Sequence, residues 1–147
     1  MEKSFKKKIP QEIYFVMNYL IDTSVIINFL RNKPETVEYI SRLDGELTSS
    51  FICLAELYEG VFRNKEKVKT EKAILDFFTG LSFIYGLDKD ISKDFGQIRS
   101  HLKSKGNVIE DMDILIASTC IANNLTLITA NPRHFSRIPS LQVLSIL

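Results

Sequence analysis

Short apolar runs that break off at a polar residue alternate along this chain with longer stretches whose apolar residues recur every three to four positions. That alternation constrains the fold more than any other feature. Tyr19-Leu20-Ile21 stops abruptly at Asp22, and Tyr14-Phe15-Val16 reads as a backward extension of the same buried strand. A short helix follows to about Leu30, capped by Thr23 or Ser24, and Pro34 opens a second helix carrying Val37, Ile40 and Leu43 on one face. Leu47 to Phe51 gives a weaker strand that runs into a helix over Cys53–Gly60. A Lys-rich helix is expected over 65–79 with Val68, Ile74, Leu75 and Phe78 on its apolar side, then a strand over Leu81–Leu87. Ile91, Phe95, Ile98 and Leu102 mark an amphipathic helix over 88–105, and Asp113 opens a helix apolar nearly all round. Leu125–Thr129 and Leu141–Ile146 are the last two strands. Strands alternating with helices predict an α/β domain with a mainly parallel sheet of roughly five strands, flanked by helices. Ligands of such sheets bind beyond the carboxyl ends of the strands, so the residues just after each apolar run matter first.

Charge narrows the function classes. The 147 residues carry 19 Lys+Arg against 18 Asp+Glu, a formal +1, which excludes binding nucleic acid by bulk counterion release. The balance is uneven. Residues 1–16 hold Lys3, Lys6, Lys7 and Lys8 against Glu2 and Glu12, a local +2, leaving a net −1 over 17–147. The leader reads as a basic N-terminal extension, disordered or preceding an alternative start at Met17, with a single domain over 17–147. Glu12, Asn18 and Asp22 interrupt the apolar stretch after Lys6-Lys7-Lys8, so it is not a signal peptide. No run reaches the roughly 18 apolar residues of a membrane span, and a cytoplasmic location is expected. Cys53 and Cys120 lie in apolar segments and read as buried reduced thiols; with His101 and His134 isolated, a zinc site has no support.

Three acidic residues stand where carboxylates are costly: Asp22 at the end of the first strand, Glu56 in an apolar helix turn, and Asp113 at the head of the most hydrophobic helix. Taken singly, each has an ordinary explanation. Asp22 fits a turn or helix cap, Glu56 a solvated helix position, and Asp113 a favourable place near a helix dipole. Taken together, converging carboxylates would repel one another unless a cation neutralised them. A hard divalent ion such as Mg²⁺ or Mn²⁺ suits all-oxygen ligands, and the chemistry it serves is phosphoryl transfer or phosphodiester hydrolysis. Asp111, two residues before Asp113, does not share its helix face and fits an N-cap or a supporting group. Glu110 and Glu59 read as peripheral.

Four segments resemble the motifs of PIN domains, in order and at similar spacing. They are Asn18-Tyr19-Leu20-Ile21-Asp22-Thr23-Ser24-Val25-Ile26, Leu54-Ala55-Glu56-Leu57-Tyr58-Glu59-Gly60, Asp111-Met112-Asp113-Ile114-Leu115-Ile116-Ala117-Ser118 and Leu127-Ile128-Thr129-Ala130-Asn131-Pro132-Arg133-His134-Phe135. The last takes the form found in VapC-like toxins of toxin–antitoxin pairs. The resemblance implies a Rossmann-like three-layer fold and a Mg²⁺- or Mn²⁺-dependent endoribonuclease that hydrolyses RNA with metal-activated water. Asp22, Glu56 and Asp113 take the positions of the family's central acids, as catalytic residues and metal ligands. Asn131 stands where many relatives carry a fourth acid, which weakens a second metal site, and Asp111 is a candidate to compensate. Thr23, Ser24 and Thr129 take positions that support a carboxylate or a water, and Arg133 and His134 are candidates to contact a phosphate.

The resemblance also implies an RNA substrate, a small cognate antitoxin and a homodimer. Ile91, Phe95, Ile98 and Leu102, or Leu75, Phe77 and Phe78, would form the dimer face unless they pack on their own sheet. The Lys-rich region 63–72 reads as a solvated face. A degenerate PIN domain that binds RNA or protein without cutting is the alternative, and a small phosphatase or DNA nuclease is a second rival.

Overall fold

The computed structural model describes residues 17–146. The basic leader and the backward extension over Tyr14-Phe15-Val16 lie outside them. Five strands form one sheet: β1 (Asn18–Ile21), β2 (Glu46–Ser50), β3 (Phe83–Tyr85), β4 (Thr126–Thr129) and β5 (Val143–Ser145). Six helices connect or flank them: α1 (Thr23–Leu30), α2 (Pro34–Ser41), α3 (Phe51–Arg63), α4 (Lys67–Thr79), α5 (Lys89–Ser104) and α6 (Asp111–Ala122), with a 3₁₀ turn at Pro132–His134. All four strand pairings are parallel and the order is β3-β2-β1-β4-β5. The α/β expectation is met.

Successive side chains of a strand point to opposite faces, and β1 sorts the core accordingly. Leu20, with Leu127 of β4, packs against Ile98 and Leu102 of α5 and against Ile114, Ile116, Ala117 and Cys120 of α6. Tyr19, Ile21 and Ile128 point the other way, to Val25 and Ile26 of α1, Ile40 of α2, Leu57 and Val61 of α3, and Ile74 and Phe78 of α4. Three layers result, with α1–α4 on one face and α5–α6 on the other. The sheet-facing hydroxyls are satisfied within it: Thr48 Oγ1 donates to the Tyr19 carbonyl at 2.7 Å and Ser49 Oγ to that of Ile21 at 2.9 Å. Where α2 returns toward β2, Gly45 passes so close to β1 that a methyl group there would overlap the Met17 carbonyl.

Several local expectations give way. Asp22 itself, not Thr23 or Ser24, caps α1: its Oδ1 accepts from the Thr23 N–H at 2.8 Å. Phe51 is the first residue of α3 rather than the last of β2, because Ser50 caps that helix by accepting from the Cys53 N–H. Val68 is 85% exposed, since α4 buries Ile74 and Phe78, with Phe77 partly buried, in its later turns. The stripe Ile91, Ile98 and Leu102 is consumed by the protein's own core, and so are Ile74 and Phe78; Leu75 stays partly exposed. The α5 stripe is thus taken up by the core, with Phe95 packed against it, whereas in the α4 set Phe78 is buried, Phe77 is partly buried and Leu75 is 40% exposed. The Lys-rich segment is solvated, with Lys69 and Lys72 beside Glu66 and Asp76. Among the described residues, no helix is long and apolar enough to cross a membrane.

Candidate active site

Strand order sets the site. The chain leaves β1 toward β2 and β3 on one side and returns to β4 and β5 on the other, so the order reverses between β1 and β4, and the crevice at their carboxyl ends is the favoured ligand position. Asp22 sits there. Its backbone N–H extends the β1–β4 ladder by donating to the Ile128 carbonyl at 2.9 Å, while its side chain caps α1 at the positive end of the helix dipole. The ordinary explanation and the functional one thus apply to the same residue.

Asp22 is 5% exposed. Oδ2 accepts from Thr129 Oγ1 at 2.7 Å and from Ser24 Oγ at 3.0 Å. Burial still pushes its pKa above the ordinary value, with those hydroxyls opposing the shift. The hydroxyls are themselves held: Ala130 N–H donates to Ser24 Oγ at 3.1 Å and Asn131 N–H to Thr129 Oγ1 at 3.0 Å. The turn after β4 is therefore tied to the first acid through two side chains. Thr23 serves the second acid, donating from Oγ1 to Glu56 Oε1 at 2.7 Å.

Glu56 lies on α3, one turn after Cys53, so both face Asp22; ligand atoms of Asp22, Cys53 and Glu56 all lie within 4.8 Å of one another. Burial raises the Glu56 pKa, the Thr23 hydroxyl opposes the shift, and the charges of Asp22, Asp113 and Glu110 add to it. Asp113, in the first turn of α6, stands outside the 4.8 Å group but within its field: burial raises its pKa, His134 opposes the shift, and Asp22 and Glu110 add to it. His134 Nδ1 stands 3.2 Å from Asp113 Oδ2. No Lys or Arg forms an ion pair with any of the three acids among the described residues.

Cys53 was not among the expected site residues. It is fully buried, and burial together with the Asp22 charge pushes its thiol up to about 11. A neutral thiol is a poor ligand for a hard cation, so the donor set that fits such an ion is carboxylate oxygen. The spacing of Cys53 and Glu56 was a readable signal, because residues three apart share a helix face. Glu110, read as peripheral, stands close enough to the site to raise two of its acids.

Other expectations are corrected. Asp111 is the first residue of α6 rather than its cap; Glu110 occupies the cap position without a side-chain bond. Asp111 Oδ1 accepts from Arg99 Nε of α5 at 2.8 Å, a helix–helix contact at the surface. No hydrogen bond ties the Asn131 side chain to the acids. Arg133 and His134 line a cleft with Asp113.

The Thr129 contacts yield a direct test. Thr129→Val keeps the volume but removes a donor to Asp22 and the acceptor for the Asn131 N–H. A stability loss of about 1–3 kcal/mol is expected from the unpaired buried groups. Should Asp22 hold a divalent ion, affinity for that ion would fall about 10- to 100-fold, as when a ligand loses its orienting partner. Thr129→Ser should restore both, read by thermal melting and metal titration.

A family model for the PIN domain matches residues 19–141 of the chain. Ribonuclease VapC2 of Rickettsia felis is 34% identical over 130 residues, covering 85% of this chain and 95% of that protein. Ribonuclease VapC1 of Methanocaldococcus jannaschii is 32% identical over 136 residues, covering 92% and 90%. Among solved structures, VapBC2 from Rickettsia felis bound to a DNA fragment from their promoter superposes with a TM-score of 0.83 at 30% identity, over 89% of this chain and all of that one. VapBC-1 from nontypeable Haemophilus influenzae gives 0.79 at 32% identity, over 88% and 98%.

Proposed function

The chain belongs to the PIN-domain family, and from that premise we propose that it is a metal-dependent endoribonuclease, the toxin of a toxin–antitoxin pair. One observation carries the reading: three carboxylates gather at the β1–β4 switch point, their pKa values raised, and among the described residues no Lys or Arg forms an ion pair with any of them. Such a set fits a hard divalent ion, Mg²⁺ or Mn²⁺, in chemistry and in charge. Asp22, Glu56 and Asp113 are the ligands and catalytic residues in this account. A bound ion would supply neutralisation of the acids, polarisation of a phosphate oxygen and an activated water for hydrolysis.

The chain's own residues do the rest. Thr23, Ser24 and Thr129 fix the rotamers of Glu56 and Asp22 through hydroxyl bonds, so the carboxylates are aimed before substrate arrives. His134 Nδ1 stands 3.2 Å from Oδ2 of Asp113 and orients that carboxylate. Asn131 brings no charge to the site, which favours one ion over two. The relatives' names and complexes support the two partner classes: VapC proteins are called ribonucleases, and solved VapBC structures are toxin–antitoxin assemblies. The partners of this chain are accordingly RNA and a cognate antitoxin.

Purified protein with Mn²⁺ should cut single-stranded RNA, stop on addition of EDTA, and leave DNA of the same sequence and a phosphomonoester intact. The new ends should be 3′-hydroxyl and 5′-phosphate. RNA left whole in Mn²⁺, or equal attack on DNA, would contradict the proposal.

A further inference from the structure

Asp113 also lines a cleft whose other residues the proposed metal chemistry leaves largely unused. The cleft, of about 410 Å³, opens between the loop before α6 and the turn after β4, lined by Val108, Ile109, Glu110 and Asp113 on one side and by Arg133, His134, Ser136 and Arg137 on the other. The volume lies in the range of small-molecule pockets and accommodates one nucleotide. Its two sides differ in charge. Glu110 and Asp113 line it from the α6 side, Asp113 being shared with the proposed catalytic centre, and Arg133 and Arg137 line it from the segment after β4.

Those guanidiniums are available and their backbone is anchored. Arg42, Arg63 and Arg99 each stand beside a carboxylate, whereas Arg31, Arg133 and Arg137 are in no ion pair among the described residues, and of these three only Arg133 and Arg137 line the cleft. Between and beside them, Phe135 and Ile138 are buried to 2% and 5% exposure in the α5–α6 core, and Ser136 Oγ donates to the Arg133 carbonyl at 3.1 Å. The segment that carries the two cations is thus fixed to the fold. Val108, on the facing wall, is 90% exposed, an apolar surface at the mouth of a charged cleft. His134 joins the two regions, since the same side chain lines the cleft and stands 3.2 Å from Asp113.

We propose that this cleft is the subsite for the RNA nucleotide that flanks the scissile phosphodiester, with Arg133 and Arg137 taking its phosphate and Val108–Ile109 taking its base or sugar face. The inference rests on the ribonuclease reading above and adds a location for the neighbouring nucleotide and a source of substrate affinity. A chain whose net charge is near zero needs such a local site, because bulk electrostatics cannot hold the strand. Arg presents a planar fork of donors matched to phosphate oxygens, and an apolar wall next to it suits a base better than it suits an acidic peptide.

The test is binding, separate from catalysis. A single-stranded 2′-O-methyl oligoribonucleotide, which resists hydrolysis, is titrated into the full chain by fluorescence anisotropy at several KCl concentrations. The double variant Arg133→Ala, Arg137→Ala should bind at least about tenfold more weakly, with a salt slope shallower by about one. The surface control Lys67→Ala, Lys69→Ala should stay within about twofold of wild type. Equal weakening by both double variants would overturn the subsite, and so would unchanged binding by the arginine variant or no binding by wild type. Competition by polyglutamate as effective as by RNA would overturn it in favour of an acidic polypeptide. Wild-type protein that binds through these arginines yet cuts no RNA in Mn²⁺ would remove the nuclease proposal and leave the subsite standing.

Discussion

Asp22→Asn is expected to abolish RNA cleavage while leaving the fold intact. A fall of about a thousandfold or more is expected, on the order of 4 kcal/mol of barrier. Asn removes the negative charge of Asp22 from the centre of the proposed site but not its structural role. Asn is as good an N-cap as Asp, and its Oδ1 keeps the Thr23 N–H. Ser24 and Thr129 carry hydroxyls that rotate to accept from the new amide. One buried charge disappears as well. The melting temperature without metal should therefore stay within a few degrees of wild type or rise. Asp22→Ala makes the contrast: it loses the cap, at about 1 kcal/mol, and leaves two buried hydroxyls without their acceptor. A wild-type rate in a folded Asp22→Asn protein would exclude Asp22 as a ligand.

The second large effect is a stability that depends on pH in opposite ways with and without metal. Burial holds Asp22, Glu56 and Asp113 above their ordinary values. Between the ordinary and the raised pKa, the folded chain keeps protons that the unfolded chain has released. Stability then falls as pH rises through that window, and the full penalty is present above the raised values. Metal-free protein should melt higher near pH 5 than near pH 7.5. Mn²⁺ binds the ionised acids, so it should reverse the order. At about a hundred times its dissociation constant it adds about 2.7 kcal/mol, which for a chain of this size is roughly 5–10 °C. Cys53 adds a separate loss only in alkaline solution, as pH rises from its ordinary 9.0 through about 11. A triple Asp22→Asn, Glu56→Gln, Asp113→Asn variant should lose both the acid-side stabilisation and the Mn²⁺ response, with differential scanning fluorimetry as the readout.

What the sequence made legible and what it hid divide along physical lines. Asp22 and Thr129 could be located because each ends an apolar run, and in a parallel sheet every strand end points to the same edge. Helix existence was equally plain from periodicity, as in α5. Periodicity says that one face of a helix is covered but not what covers it, so Ile98 and Leu102 read equally well as a dimer face or a core. Two contacts near the site were out of reach for the same reason. Arg99 takes Asp111 because α5 packs on α6, and His134 reaches Asp113 because the chain turns tightly after β4. Both depend on how separate elements pack, which no local pattern encodes. The cap of α1 was left open in the sequence because Asp, Thr and Ser are adjacent and all are favourable caps; the β1–β4 ladder, which fixes Asp22 at the strand end, decides for Asp22.

The central claim is that Asp22, Glu56 and Asp113 hold one divalent ion, and a crystal soaked in Mn²⁺ tests it most directly through anomalous scattering. The account predicts a single strong peak with carboxylate oxygens of all three residues as ligands and the Cys53 sulfur outside the coordination shell. A peak held by His134 away from Asp22, or no peak in a crystal whose three carboxylates are intact, would contradict it.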